Sequence, residues 1–372
     1  MNPTLSSRIA KVREKLADLE LDALMVAIQE NRYYLSGYTG EDSQFDESAG
    51  VLFVSDSQLV LATDSRFDLQ ARAEAPDFEV VCYRKGLEKE LPAIVADLSV
   101  RRLGFESVRL SHKNYAAYAK ALQTASPSID FVPTENLVED LRKNKSDEEI
   151  QATVDALRLA EKAFFHVVAT LRPGMTEKQV AWELEKAMRE RGAQGLSFPV
   201  IVASGPNSAL PHAIPSDRQV QEGEPLLIDW GARLNEYCSD TTRTLVMGKP
   251  KDPFQKVFDT VVEARDRAIA GIRAGASGIE VDRIARDFID KNGFGDKFGH
   301  GLGHGTGLAV HEAPRLSPIK DDRLEAGMIV TVEPGIYLPE WGGVRMENQV
   351  VVVQDGARVL NEPAPFDPRI GI

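Results

Sequence analysis

Four carboxylates lie inside or beside apolar, strand-forming runs in the second half of this chain, and their spacing limits how those runs can fold. Asp229 falls in Leu227-Ile228-Asp229-Trp230-Gly231, and Asp240 in Cys238-Ser239-Asp240-Thr241-Thr242-Arg243. A hairpin turning near Leu234-Asn235 leaves the two aspartates equidistant from its turn, and directly opposed residues point to the same face. Glu333 ends the run Met328-Ile329-Val330-Thr331-Val332, and Glu347 ends Gly343-Val344-Arg345-Met346. Folding about Glu340 sets Glu333 opposite Glu347, and Arg345, two residues before Glu347, points the same way. A lone aspartate often only caps a turn. Two facing pairs are different, because adjacent like charges are costly unless a cation lies between them.

Three of the six histidines fall in the stretch His300-Gly301-Leu302-Gly303-His304-Gly305-Thr306-Gly307-Leu308-Ala309-Val310-His311. Glycines on both sides of His304 let backbone and imidazole approach a buried site closely. The run lacks the Lys-Ser/Thr ending of a phosphate-binding loop and the spacing of a dinucleotide fingerprint, and no His-Glu-x-x-His motif is present. His212 sits in the loop-like Ala209-Leu210-Pro211-His212-Ala213, whereas His112 and His166 read as structural. Four carboxylates carry four negative charges, which two divalent cations neutralise. A structural zinc would ask for more sulfur or nitrogen. Hard oxygen ligands with one imidazole suit Mn, Fe or Co, and Zn also binds such a set. Two such ions sharing a water lower its pKa and generate hydroxide at neutral pH. These residues point to a two-metal hydrolase.

At 372 residues the chain is long enough for two domains. Ile9, Val12, Leu16 and Leu19 recur at three- and four-residue steps, the spacing of one helix face. Strand-like runs at 23–27, 50–54, 59–62 and 78–82, and around Leu103-Gly104-Phe105, then predict a small α/β domain over residues 1–132. Pro133 and the basic run Arg142-Lys143-Asn144-Lys145 mark residues 133–146 as a linker. Ser146 with Glu149, and Thr176 with Gln179, read as capping boxes that open two helices. Further helices follow Asp252-Pro253 and Gly278, with strand-like segments at 198–204, 226–245, 328–333 and 343–353. Residues 147–372 therefore predict an α+β domain on an antiparallel sheet. Lys and Arg total 44 against 57 Asp and Glu, a net charge of −13. That balance argues against nucleic acid as a partner, which would want a basic face, and against docking on an anionic membrane. Two cysteines, Cys82 and Cys238, supply neither a disulfide framework nor a thiolate zinc site. The opening residues lack the basic and apolar regions of a secretory signal, which predicts a cytoplasmic protein.

With Asp229, Asp240, His304, Glu333 and Glu347 in this order and context, the chain resembles the pita-bread metallopeptidases. That family holds methionine aminopeptidase, Xaa-Pro aminopeptidase and Xaa-Pro dipeptidase (prolidase). The matching stretches are residues 211–213, 228–232, 239–244, 303–307, 310–312, 332–337 and 342–347. Residues 30–40 and Asp64-Ser65-Arg66-Phe67 are similar to the proline-peptidase branch, so the resemblance spans nearly the whole chain. It implies a C-terminal pita-bread (creatinase/aminopeptidase) catalytic domain behind a smaller creatinase-like N-terminal α/β domain. It also implies Asp229, Asp240, His304, Glu333 and Glu347 as ligands of two divalent metal ions, with Asp240 and Glu347 shared between them. Mn2+ is the first choice, with Co2+, Fe2+ or Zn2+ as alternatives.

Glu333 is implied as a proton shuttle, His212 and His311 as hydrogen-bond partners of the substrate, and His300 as a further active-site histidine. Arg315 matches an arginine that binds a substrate's C-terminal carboxylate, and Arg345 is grouped with it among the substrate-binding residues. The implied activity is hydrolysis of the bond before proline at the N-terminus of peptides, as an Xaa-Pro aminopeptidase. Xaa-Pro dipeptidase is the alternative, and a metal-free creatinase-like or non-catalytic binding relative a remoter one. A homodimer is implied as well.

Overall fold

The computed structural model describes residues 3–42, 44, 47–126, 128–361 and 367–370, which fall into a first unit, Met1–Arg142, and a second, Lys143–Ile372. In the first, helix α1 (Pro3–Asp18) buries the stripe Ile9, Val12 and Leu16 that its spacing predicts. Six strands form one mixed sheet: β1 (Ala23–Val26), β2 (Val51–Ser55), β3 (Leu59–Asp64), β4 (Glu79–Tyr83), β5 (Arg102–Glu106) and β6 (Asp130–Thr134). Their order is β4-β3-β2-β1-β5-β6. Every residue of β1 and β2 is buried, so these strands read as unbroken apolar runs rather than as alternation. Helices α2 (Gln29–Ser36), α3 (Asp68–Glu74), α4 (Leu87–Asp97) and α5 (His112–Ala125) lie between the strands, and α6 (Glu139–Arg142) ends the unit.

Pro133, which the sequence suggests as the start of a linker, lies within β6 and pairs with Phe105. Because β6 is an edge strand bonded only to β5, a nitrogen without a proton is tolerated there. Residues 133–142 therefore belong to the first unit, and the division comes after Arg142.

The second unit opens with α7 (Asp147–Val168) and α8 (Glu177–Glu190), each started by a complete capping box, Ser146 with Glu149 and Thr176 with Gln179. Next come β7 (Gly195–Leu196), β8 (Ile201–Ser204), β9 (Pro225–Trp230), β10 (Ala232–Leu234), β11 (Tyr237–Cys238) and β12 (Thr241–Met247), then helices α9 (Phe254–Gly271) and α10 (Gly278–Lys291). After a short 3-10 helix (Gly295–Lys297) the remaining elements are strands: β13 (Gly303–Gly305), β14 (Glu312–Leu316), β15 (Ile329–Val332), β16 (Gly335–Leu338), β17 (Gly342–Arg345), β18 (Asn348–Val353), β19 (Gly356–Val359) and β20 (Arg369–Ile370). A four-stranded sheet runs β20-β12-β9-β8, a five-stranded one runs β14-β13-β15-β18-β19, and β16 and β17 form a hairpin. No described helix is long and apolar enough to cross a membrane.

Helices pack one side of each sheet. From α7 and α8, Ala160, Phe164, Leu184 and Met188 join Leu226, Ile228 and Trp230 of β9 in one core. Trp230 stacks on Phe164 at 4.2 Å, and its indole N–H donates to Ala160 O at 3.0 Å. From α9 and α10, Phe254, Val257, Val281 and Ile289 join Val330 and Val332 of β15. Side chains alternate along a strand, so Asp229 in β9 and Thr331 in β15 are turned away from the helices. The site is built on that opposite side.

Candidate active site

Strand register brings the carboxylates together. In the β9–β12 pair Asp229 lies opposite Thr242 and Trp230 opposite Thr241. The chain turns at Asn235-Glu236, both at positive φ, instead of the expected Leu234-Asn235. Asp240 is thus diagonal to Asp229 rather than opposite it, but a register change of two keeps side chains on their face. On the other side, β15–β18 pairs Val332 with Asn348 and β16–β17 pairs Gly335 with Arg345, so Glu333 and Glu347 face each other where the two pairings meet.

Ligand atoms of Asp229, Asp240 and Glu347 lie within 4.8 Å of one another, all three buried. His304 Nε2 completes the group, 3.3 Å from Glu333 Oε1 and 3.6 Å from Asp240 Oδ2. Its strand, β13, lies between β14 and β15, and a Cβ at Gly303 or Gly305 would run into the carbonyls of Thr331 or Ala313. The His304 amide donates to Thr331 Oγ1 at 3.0 Å, and its ring Nδ1 donates to Gly305 O at 3.1 Å. A carbonyl only accepts, so the proton sits on Nδ1 and Nε2 presents its lone pair to the carboxylates.

Each of two carboxylates has one oxygen tethered and one unclaimed. Asp229 Oδ2 accepts from Arg345 Nη2 at 2.5 Å, and Glu347 Oε2 accepts from Thr242 Oγ1 at 2.7 Å. Asp229 Oδ1 and Glu347 Oε1 are buried without a hydrogen-bond partner. Burial, and then the charges of neighbouring carboxylates, push Asp240 and Glu347 well above the ordinary carboxylate range, and burial raises Asp229 too. Unpaired buried anions of this kind are costly, by about 1–3 kcal/mol or more for each orphaned group. Hard divalent cations would remove that cost, so this donor set fits a dinuclear metal site.

Residues 151–354 match the metallopeptidase family M24, and residues 8–143 match the creatinase/prolidase N-terminal domain. An uncharacterized peptidase of Bacillus subtilis (strain 168) is 38% identical over 95% of this chain and 97% of its own length. The solved Xaa-Pro dipeptidase from Bacillus anthracis superposes with a TM-score of 0.92, at 37% identity, covering 98% of this chain and 100% of that one. The X-Pro aminopeptidase of Thermotoga maritima MSB8 gives 0.85 at 36% identity, covering 96% and 100%. This chain belongs to metallopeptidase family M24. Its fold is that of the pita-bread proline peptidases, a creatinase-type N-terminal domain followed by the M24 catalytic domain.

Around the carboxylates of this M24 domain lies a cavity of about 630 Å3. His311 stands edge-on to His304, ring centroids 4.3 Å apart. Burial, reinforced by the charges of His304 and Arg315, lowers its pKa to about 4, so it is neutral at physiological pH. His212 is exposed at the cavity lip. Arg315 is paired with His304 in the β13–β14 ladder, so its side chain leaves on the same face as the imidazole, and it too lines the cavity.

Two of the expected site residues are joined by hydrogen bonds in the cavity wall. Arg345, grouped by resemblance with the substrate-binding residues, donates to Asp229, to Thr242 Oγ1 at 3.1 Å, to Pro211 O at 3.1 Å and to Tyr337 OH at 2.9 Å. It is buried in the cavity wall, where its guanidinium holds Asp229. His300 Nδ1 donates to Gly301 O at 2.8 Å, so its Nε2 accepts from Tyr337 OH, also at 2.8 Å. A chain of hydrogen bonds thus runs from His300 through Tyr337 and Arg345 to Asp229. Burial lowers the His300 pKa and keeps the ring neutral.

Tyr337 is a site residue that the motifs do not single out, although the alternation Glu333, Gly335, Tyr337 along one face is a signal that finds it. An apolar wall is formed by Phe198, Pro199 and Val200, just ahead of β8, with Ile201 at its start. No local pattern marks it as lining.

Proposed function

We propose that this M24 peptidase hydrolyses the peptide bond preceding proline, with Xaa-Pro dipeptides as its preferred substrates. The observation that carries this reading is the His304–Arg315 pairing, which sets a guanidinium on the face of the proposed ligand histidine. An arginine pairs bidentately with a carboxylate, and in a dipeptide the free carboxylate lies one residue beyond the scissile bond. The apolar run at residues 198–201 offers the surface a proline ring needs.

Asp229, Asp240, His304, Glu333 and Glu347 would hold two divalent ions, Mn2+ first among Co2+, Fe2+ and Zn2+. Such ions, when bound, supply Lewis-acid activation of water and of the substrate carbonyl. Burial works against ionisation of Glu333, but the charge of Arg345 and of the bound ions would keep the carboxylate ionised, and its Oε1 accepts from Thr331 Oγ1 at 3.0 Å. It is therefore a ready proton acceptor for the attacking water and returns that proton to the leaving proline nitrogen. Neutral His311, with His212 at the lip, donates hydrogen bonds to the substrate as charge develops on its carbonyl oxygen. Arg345 and the His300–Tyr337 pair keep Asp229 in place.

Aminopeptidase action, the first expectation from the sequence, is the second reading, favoured by the likeness to the Thermotoga maritima enzyme. A cytoplasmic homodimer completes the proposal, on the resemblance to the same branch. The deciding experiment offers Ala-Pro and Ala-Pro-Ala together to the Mn2+-loaded protein. Loss of the dipeptide alone, with an Arg315→Gln variant raised in KM, is expected. Release of alanine from the tripeptide, with Arg315→Gln unaffected, would make the enzyme an aminopeptidase. Survival of both peptides would sink the Xaa-Pro reading.

A further inference from the structure

Glu177, the first residue of α8, carries a fully buried carboxylate whose neighbours are all donors. Its Oε1 accepts from the Ser204 amide at 2.7 Å, Ser204 Oγ at 2.9 Å and Asn207 Nδ2 at 3.1 Å. Oε2 accepts from the same Asn207 amide at 3.1 Å, the Ser216 amide at 3.0 Å and Ser216 Oγ at 2.6 Å. These donors lie at the two ends of the segment 204–216, which bears His212 near its middle. Between those ends the chain is held at Ser208, whose Oγ accepts from the Gly343 amide at 2.8 Å, whereas around His212 Leu210 and Ile214 are 58% and 87% exposed and Arg345 touches the loop at Pro211 O.

We infer that Glu177 is a positioning residue, a staple that closes the His212 loop at its base and fixes His212 over the cavity. The inference rests on the role proposed above for His212. The chemistry requires a carboxylate, because both oxygens face donors and only a carboxylate has two acceptor oxygens. A glutamine would turn its NH2 against the donors at one end of the loop and release that end. Being the first residue of a helix also suits a buried negative charge.

The test is Glu177→Gln, made in the parent and in a His212→Asn background, with Ser216→Ala as a milder variant that removes one donor. In the Mn2+-loaded parent, kcat/KM for Ala-Pro should fall about tenfold, mostly through KM, as expected for a loosened binding group. In the His212→Asn background the same change should cost less than about twofold, the mark of two residues acting as one. Mn2+ affinity should stay within about twofold, and amide exchange over 205–216 should quicken while 329–353 is unchanged. Ser216→Ala should give the same pattern at smaller size. Equal losses in both backgrounds, or a parallel loss of Mn2+ affinity, would reduce Glu177 to a general structural role and overturn the inference. Should the parent cleave no Xaa-Pro peptide, the proposed function fails by itself. Exchange over 205–216 then still decides the staple, and unchanged exchange in Glu177→Gln refutes it.

Discussion

Lys145 and Glu312 form an ion pair at 2.6 Å, with side chains only 1% and 9% exposed. Glu312 directly follows His311, so the pair fixes one side of the cavity, and Gly307 leaves it room where a Cβ would strike both partners. Lys145→Met removes the cation but leaves a largely buried carboxylate. Breaking such a pair from one side costs about 3 kcal/mol, whereas replacing both members by apolar groups is close to neutral. All three tryptophans, Trp182, Trp230 and Trp341, lie in the second unit, so urea unfolding followed by their fluorescence reports on that unit alone. With a slope near 2.5 kcal/mol per molar urea, the Lys145→Met midpoint should drop by about 1 M. Lys145→Met/Glu312→Leu should recover most of that loss. A single-variant cost under about 1 kcal/mol, or a double variant as weak as the sum of the singles, would refute the reasoning that desolvation dominates here.

The pH dependence of the metal-free protein has a defined sign. Asp240 and Glu347 have native pKa values raised well above the ordinary range, so the native state holds more protons than the unfolded chain between those limits. Their contribution to stability is present at low pH and is lost as pH rises through the native values. Above the ordinary histidine range the melting temperature with EDTA should therefore fall as pH rises through the native values of these two carboxyls, and Mn2+ should cancel the fall; a rising curve in EDTA there would count against the assignment. Arg345→Lys keeps the charge but not the planar fork that reaches Asp229, Thr242, Pro211 and Tyr337 together, and should weaken Mn2+ binding by about 10–100-fold in isothermal titration. Unchanged affinity would show that Arg345 does not hold Asp229. Sedimentation at micromolar concentration should show a dimer, and monomer alone would contradict the homodimer.

What the sequence determined by itself was local and periodic. The capping boxes at Ser146 and Thr176 start helices because both partners of each box lie within one turn. Glu333 and Glu347 meet because a hairpin symmetric about Glu340 leaves them no other register. Glycines beside His304 announced close packing because no other residue permits it. The tertiary structure decided the rest. Pro133 could join a strand once that strand lay at a sheet edge. Asn235-Glu236 took the turn by adopting positive φ, a choice the flanking pattern leaves open. Arg345 and Glu177 depend most on the fold, for their partners lie up to 134 and 39 residues away. Alternation tells which way such a side chain points. Which of many equivalent donors and carbonyls it meets is settled only when distant segments pack, since a buried charge takes whatever partners the fold brings within reach.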